Sequence, residues 1–225
     1  MTFSSKEHGL IVALDIEDHI RLFHVVESTK NYVTAYKIGW PTILSHGPKI
    51  IEEVSSYAPV ICDFKIADIP EISGFIAKKA YEYGASGVIV HAFVGPKSVS
   101  QVVQVSREFG GYTFVLVHMT HKGAERIFNI VMDNLIEIVA ETNPEGVVAP
   151  ATRVEVIRKV REKLPEKIII SPGVGAQGGK VEETIRAGTN YVIVGRSIYR
   201  SDDPGEAAKN ILEIIKRSTK EKRSL

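Results

Sequence analysis

Eight short apolar runs, each followed by a stretch of helical spacing, recur along the chain at intervals of roughly 28 residues, the length of one strand–helix–strand step. The runs span 10–15, 32–39, 59–65, 86–91, 112–118, 146–149, 167–170 and 190–194. Helical spacing follows over 17–30, 41–57, 70–84, 96–109, 124–142, 152–164, 179–187 and 204–217. The runs show little polar alternation, as strands do when both faces are covered. Eight such units predict an α/β chain folded as a single closed (β/α)8 TIM barrel. A doubly wound open sheet is the alternative, but no Gly-x-Gly-x-x-Gly follows the first run. The reading is one barrel domain over 1–225, with a polar, loosely held arm over 1–9 and a charged, solvated tail over 218–225.

With 225 residues and 44% hydrophobic content, one sizeable core is within reach. A net charge of +1 offers no electrostatic case for nucleic acid or a membrane surface. Cys62 is the only cysteine, which excludes an intrachain disulfide and a thiolate metal cluster. The apolar run that opens at Leu10 stops at Asp15, far short of a signal or membrane-spanning segment. A cytoplasmic protein is expected.

Polar groups gather where strands end: the first ends in Asp15, the second near Lys37, the third in Asp63 and Lys65, the fourth in His91 and the fifth in His118. Barrel enzymes place their sites at those carboxyl ends. Strand alternation puts Ile61, Asp63 and Lys65 on one face. Burying a carboxylate and an ammonium costs several kcal/mol per ion unless their geometry is good. Asp68 adds a second carboxylate, and Pro70 suits the first turn of a helix. A structural ion pair at a strand end is the other reading, and either histidine alone could be a satisfied structural group. An array alternating Asp and Lys can keep every member ionised, because each charge has an opposite neighbour.

Two glycine-rich stretches complete the pattern. Ser171-Pro172-Gly173-Val174-Gly175-Ala176-Gln177-Gly178-Gly179 follows the seventh strand, and Gly195-Arg196-Ser197 follows the eighth. Glycines let backbone N–H groups approach an anion. The loops after strands seven and eight are the usual phosphate site of a barrel, and Arg196 can bind phosphate through two N–H groups. The first loop is long enough to close over a ligand. No Walker-type phosphate loop, His-Glu-x-x-His or Gly-x-Ser-x-Gly is present. Trp40, beside Gly39 at the barrel mouth, reads as packing.

Asp63-Phe64-Lys65-Ile66-Ala67-Asp68-Ile69-Pro70, the 171–179 loop and Val194-Gly195-Arg196-Ser197 together resemble the orotidine 5′-monophosphate decarboxylase family, in its compact archaeal, monofunctional form. The resemblance extends from Leu10 to the last helix. It implies decarboxylation of orotidine 5′-monophosphate to uridine 5′-monophosphate, the last step of de novo pyrimidine synthesis, without cofactor or metal. It also implies a homodimer with active sites at the interface. Lys65 would protonate C6 as CO2 leaves, Asp63 would face the substrate carboxylate, and Lys37 and Asp63 would hold Lys65. Asp15 and Lys37 would reach ribose hydroxyls. Asp68 and Ile69 would come from the partner subunit. Gln177, Gly195 and Arg196 would bind the 5′-phosphate, with Pro172 near the pyrimidine and Gly173, Val174, Gly175, Ala176, Gly178 and Gly179 completing the loop. Two positions depart from the family pattern. Ile72 stands where a threonine is usual, and Thr120 stands where a serine usually reads the imide edge. Related Mg²⁺-dependent sugar-phosphate decarboxylases and aldolases share the Asp-x-Lys-x-x-Asp element, but Lys37 opposes a metal at that place. A non-catalytic phosphate-binding barrel is the rival outside enzymes, and it would have no need of a buried lysine facing a carboxylate.

Overall fold

The computed structural model describes residues 3–223. Eight parallel strands close in chain order, with the last pairing to the first: β1 (Gly9–Ala13), β2 (Ala35–Gly39), β3 (Val60–Ile66), β4 (Gly87–His91), β5 (Tyr112–Leu116), β6 (Gly146–Val148), β7 (Ile168–Pro172) and β8 (Tyr191–Val194). Every residue of β1, β2, β4, β6 and β8 is buried, which is why these runs lack alternation. Around them lie α1 (His19–Thr29), α2 (Trp40–His46), α3 (Lys49–Ser55), α4 (Pro70–Glu82), α5 (Pro96–Glu108), α6 (Glu125–Thr142), α7 (Val154–Lys163), α8 (Val181–Ala187), α9 (Arg196–Tyr199) and α10 (Pro204–Arg223). No described helix is long and apolar enough to cross a membrane.

The expected single helix over 41–57 is two. Gly47, with φ 75°, closes α2 through its N–H to the Ile43 carbonyl, and Pro48 starts the turn into α3. Strands one and five are shorter than expected. The ladder ends with Leu14 N–H to Lys37 and Val117 N–H to Val148, so Asp15 and His118 lie on the loops just beyond.

Both chain ends depart from the expectation of loose segments, apart from Met1, Thr2, Ser224 and Leu225, which lie outside the described residues. Phe3 is buried and makes edge-to-face contacts with Tyr112, Phe114 and Tyr191, at ring-centroid distances of 5.1, 5.7 and 5.4 Å. Asn190 binds the arm through Nδ2 to the carbonyls of Ser5 and Glu7, and the Ser4 N–H donates to the Tyr191 hydroxyl. Gly146 leaves room for the Phe114 ring; a Cβ there would lie 2.6 Å from it. The arm therefore seals the amino-terminal end of the barrel. At the other terminus α10 continues to Arg223, and Ser218 is fully buried, because Ile211, Ile214, Ile215 and Ser218 share one helical face.

Candidate active site

All eight strands contribute a side chain to one cavity of about 210 Å³ at their carboxyl ends: Ala13, Lys37, Asp63, Ile89, Leu116, Val148, Pro172 and Ile193. Two of these eight are charged, and they meet. Lys37 Nζ lies 2.8 Å from Asp63 Oδ2 and 3.5 Å from Asp15 Oδ1, while Lys65 Nζ lies 2.8 Å from Asp63 Oδ1. Asp63 thus accepts one ammonium on each oxygen.

Burial alone would raise the Asp63 pKa, but Lys37 and then Lys65 outweigh it and hold the carboxyl down, from its ordinary 3.8 to about 2. Burial would pull Lys37 down, and the charges of Asp63 and Asp15 overcome it and lift it above the ordinary lysine value. Asp63 and Lys37 are thus both charged at neutral pH. Asp15 is placed by the turn after β1, where the Thr42 hydroxyl donates to the Leu14 carbonyl and accepts the Ile16 N–H. Gly39 leaves room for it: a Cβ there would lie 2.7 Å from the Asp15 carboxylate and push it aside.

Lys65 reaches Asp63 by a different route from the plain alternation expected. The pairing of β3 with β4 shifts register between Cys62 and Ile66, and Lys65 has φ 45°, in the left-handed region. The bulge, rather than the pleat, turns its ammonium onto Asp63.

Opposite this array, the 172–177 loop and α9 line the same cavity with Pro172, Gly173, Val174, Ala176, Gln177, Gly195, Arg196 and Tyr199. Gly173, Gly175 and Gly178 have φ of 98°, 75° and 95°. The Ala176 N–H donates to Ser197 Oγ at 3.1 Å, joining the loop to α9. Gly178 and Gly179 shape the turn from behind: Gly179 N–H donates to the Gly173 carbonyl at 3.0 Å and Gly178 N–H to that of Gly175 at 2.7 Å. Gly175, Gly178 and Gly179 do not line the cavity. Thr120 does, beside Met119, and its carbonyl accepts from the Thr152 hydroxyl at 3.5 Å.

Asp68, Ile69 and Ile72 stand outside the chain's own cavity. Asp68 is exposed, and Ile69 and Ile72 are 61% and 43% exposed. His118 lines the cavity, but both ring nitrogens are engaged, by the Met119 carbonyl at 2.8 Å and Asn129 Oδ1 at 2.9 Å. It ties the loop down. His91 is buried against Phe93 and Phe128, and its Nδ1 has no hydrogen-bond partner among the described residues. Burial, then the Lys65 charge, lowers its pKa to about 4. Cys62 is buried, its thiol pushed up by burial, and takes no part.

The sequence reading missed the apolar floor of Ile89, Leu116, Val148 and Ile193, and also Ala13, Met119 and Tyr199. A signal for some of them was present. Ala13, Ile89, Leu116 and Ile193 each stand two residues before a strand-end residue already singled out: Asp15, His91, His118 and Gly195.

A barrel whose mouth opposes a buried lysine–carboxylate array to a glycine-rich loop and an arginine has the form of an enzyme for small phosphorylated molecules. The family model described as orotidine 5′-phosphate decarboxylase / HUMPS family matches residues 8–211, and the chain belongs to that family. The orotidine 5′-phosphate decarboxylase of Thermococcus kodakarensis is 46% identical over 213 residues, covering 93% of this chain and 98% of that one. The enzyme of the same name from Methanococcoides burtonii is 43% identical over 209 residues, covering 92% and 97%. Among solved structures, orotidine 5′-monophosphate decarboxylase from Methanocaldococcus jannaschii, complexed with the inhibitor BMP, superposes with a TM-score of 0.88 at 40% identity, covering 93% of this chain and 99% of that one.

Proposed function

We propose that the chain carries out its relatives' reaction, the decarboxylation of orotidine 5′-monophosphate to uridine 5′-monophosphate in pyrimidine biosynthesis, with Lys65 as the proton donor to C6. The observation that carries this reading is the Lys37–Asp63–Lys65 array at the cavity wall. When the C6–carboxylate bond breaks, its electron pair stays at C6 in an in-plane orbital that no carbonyl can delocalise. A fixed positive charge and a proton must meet it, and Lys65 supplies both. A unit charge about 4 Å away is worth roughly 4 kcal/mol at an effective dielectric of 20, or about a thousandfold in rate. The rest comes from the surroundings.

Asp63, held ionised by two ammonium groups, faces the substrate carboxylate and opposes its charge in the ground state. The apolar floor of Ile89, Leu116 and Val148 favours neutral CO2 over a carboxylate. Gln177, Gly195 and Arg196 hold the 5′-phosphate, Asp15 and Lys37 the ribose, and Thr120 and Pro172 the pyrimidine, so that binding energy remote from C6 serves the transition state. Lys37 occupies the side of Asp63 where a divalent cation would have to sit, which disfavours the Mg²⁺-dependent sugar-phosphate reaction.

The working unit is a homodimer in which Asp68 and Ile69 complete the partner's site. Their exposure beside the mouth, in company with exposed Ile72 and Phe75, favours this reading.

The test is ultraviolet absorbance with orotidine 5′-monophosphate and EDTA. Loss of the substrate band with release of CO2 is expected. No change, with Mg²⁺ then restoring turnover of a keto sugar phosphate, would move the chain to the sister activity. Tight binding of uridine 5′-monophosphate without any turnover would leave a phosphate-ligand barrel.

A further inference from the structure

Lys65 meets Asp63 from a backbone conformation that a lysine adopts only when its surroundings hold it there, with φ 45° at a register shift between β3 and β4. The easiest relaxation is a flip of the peptide plane between Phe64 and Lys65, which changes φ of Lys65 and undoes the left-handed geometry of the bulge from which its side chain projects. What opposes the flip lies on the neighbouring strand. Gly39, the last residue of β2, is paired with Asp63, and Trp40 follows it directly. The Trp40 indole N–H donates to the Phe64 carbonyl at 3.1 Å, and its ring stacks on that of Phe64, with centroids 4.9 Å apart and planes 27° from parallel. That carbonyl belongs to the very peptide plane whose orientation sets φ of Lys65.

We propose that Trp40 is a positioning residue: its indole N–H pins the Phe64–Lys65 peptide and so aims the Lys65 ammonium at Asp63 and the cavity. The end of β2 then grips the end of β3 at two points, through Lys37 on the Asp63 carboxylate and through Trp40 on the Phe64 carbonyl. Trp40 is not among the residues lining the cavity, and it is 46% exposed, so it stands outside the chain's own cavity and adds little to the core. The reading of Trp40 as mere packing accounts for the stacked rings but not for the directed hydrogen bond.

The inference rests on Lys65 being the proton donor, and the experiment separates the two. Trp40→Phe keeps an aromatic ring and removes the donor. A loss of about tenfold in kcat is expected, the size of one hydrogen bond, with affinity for uridine 5′-monophosphate and Tm unchanged. Because Trp40 is the only tryptophan in the chain, benzothienylalanine incorporated in place of tryptophan removes the same N–H with the ring shape retained. It should reproduce the loss even if the phenylalanine variant folds poorly. Unchanged kcat in the analogue-bearing protein would overturn the proposal. A parallel fall in kcat, ligand affinity and Tm would also overturn it, since that is the mark of general support for the barrel mouth. Lys65→Ala, measured alongside, distinguishes the failures. If it stays active, the Lys65 reading falls and takes this one with it; if it is inactive while the analogue-bearing protein is fully active, only the role of Trp40 falls.

Discussion

The two ends of this barrel are built on opposite terms. At the amino-terminal end Phe3 closes over Tyr112, Phe114 and Tyr191, and the contacts are aromatic and buried. At the carboxyl end the strands surround an open cavity, force charges into contact and hold a lysine in a left-handed backbone. The first end can only add stability. The second carries buried ions and strain, which add little to stability or subtract from it. Substitutions at the two ends should therefore move different observables.

The largest effect belongs at the mouth. Lys65→Ala should lower kcat by about a thousandfold or more, with Tm unchanged or raised. Asp68→Ala should be similarly inactive without unfolding. Mixing the two inactive chains should then recover about a quarter of wild-type activity, because half the dimers would each hold one complete site under two-fold symmetry. No recovery after demonstrated subunit exchange would count against a shared site.

The opposite end should respond in stability. Phe3→Ala should cost about 3 kcal/mol, lowering Tm by roughly 6–12 °C, while kcat at 25 °C is untouched. A fall in kcat with no change in Tm would break the division of labour between the ends.

The smallest effect is the acid response of His91. Its folded pKa is about 4 against an ordinary 6.5. Between those values the unfolded chain binds a proton that the folded chain does not, so stability falls as pH is lowered through this window. His91→Phe should flatten that part of a urea-unfolding series and leave the midpoint above pH 7 nearly unchanged. Asp63 acts in a lower window: its contribution is present above about pH 4 and is lost as pH falls towards 2.

The barrel was legible because parallel strands covered on both faces are written as unbroken apolar runs. Lys37, Asp63, Gln177 and Arg196 were legible because charged and polar residues at strand ends and in a glycine-rich loop stand out against those runs. The backbone of Lys65 was not, since nothing in Asp63-Phe64-Lys65 distinguishes a bulge from a pleat. Phe3 was hidden because one ring in a polar arm carries no periodicity, and its partners lie on β5 and β8. The break at Gly47-Pro48 is written in the sequence, but the apolar spacing on either side of it reads equally as one long helix. The tail misled through its charges, while Ser218 continues an apolar face whose period only the folded helix makes visible.

The seal made by Phe3 also has a bearing on the order of events in folding. Its partners Tyr112 and Tyr191 lie more than a hundred residues along the chain, and β1 must close onto β8 before all the rings can meet. Contacts of that sequence separation are won only after the intervening loops have paid their closure entropy. The arm is thus a latch set after the barrel has assembled. Loosening it should quicken unfolding and leave the refolding rate almost as it was.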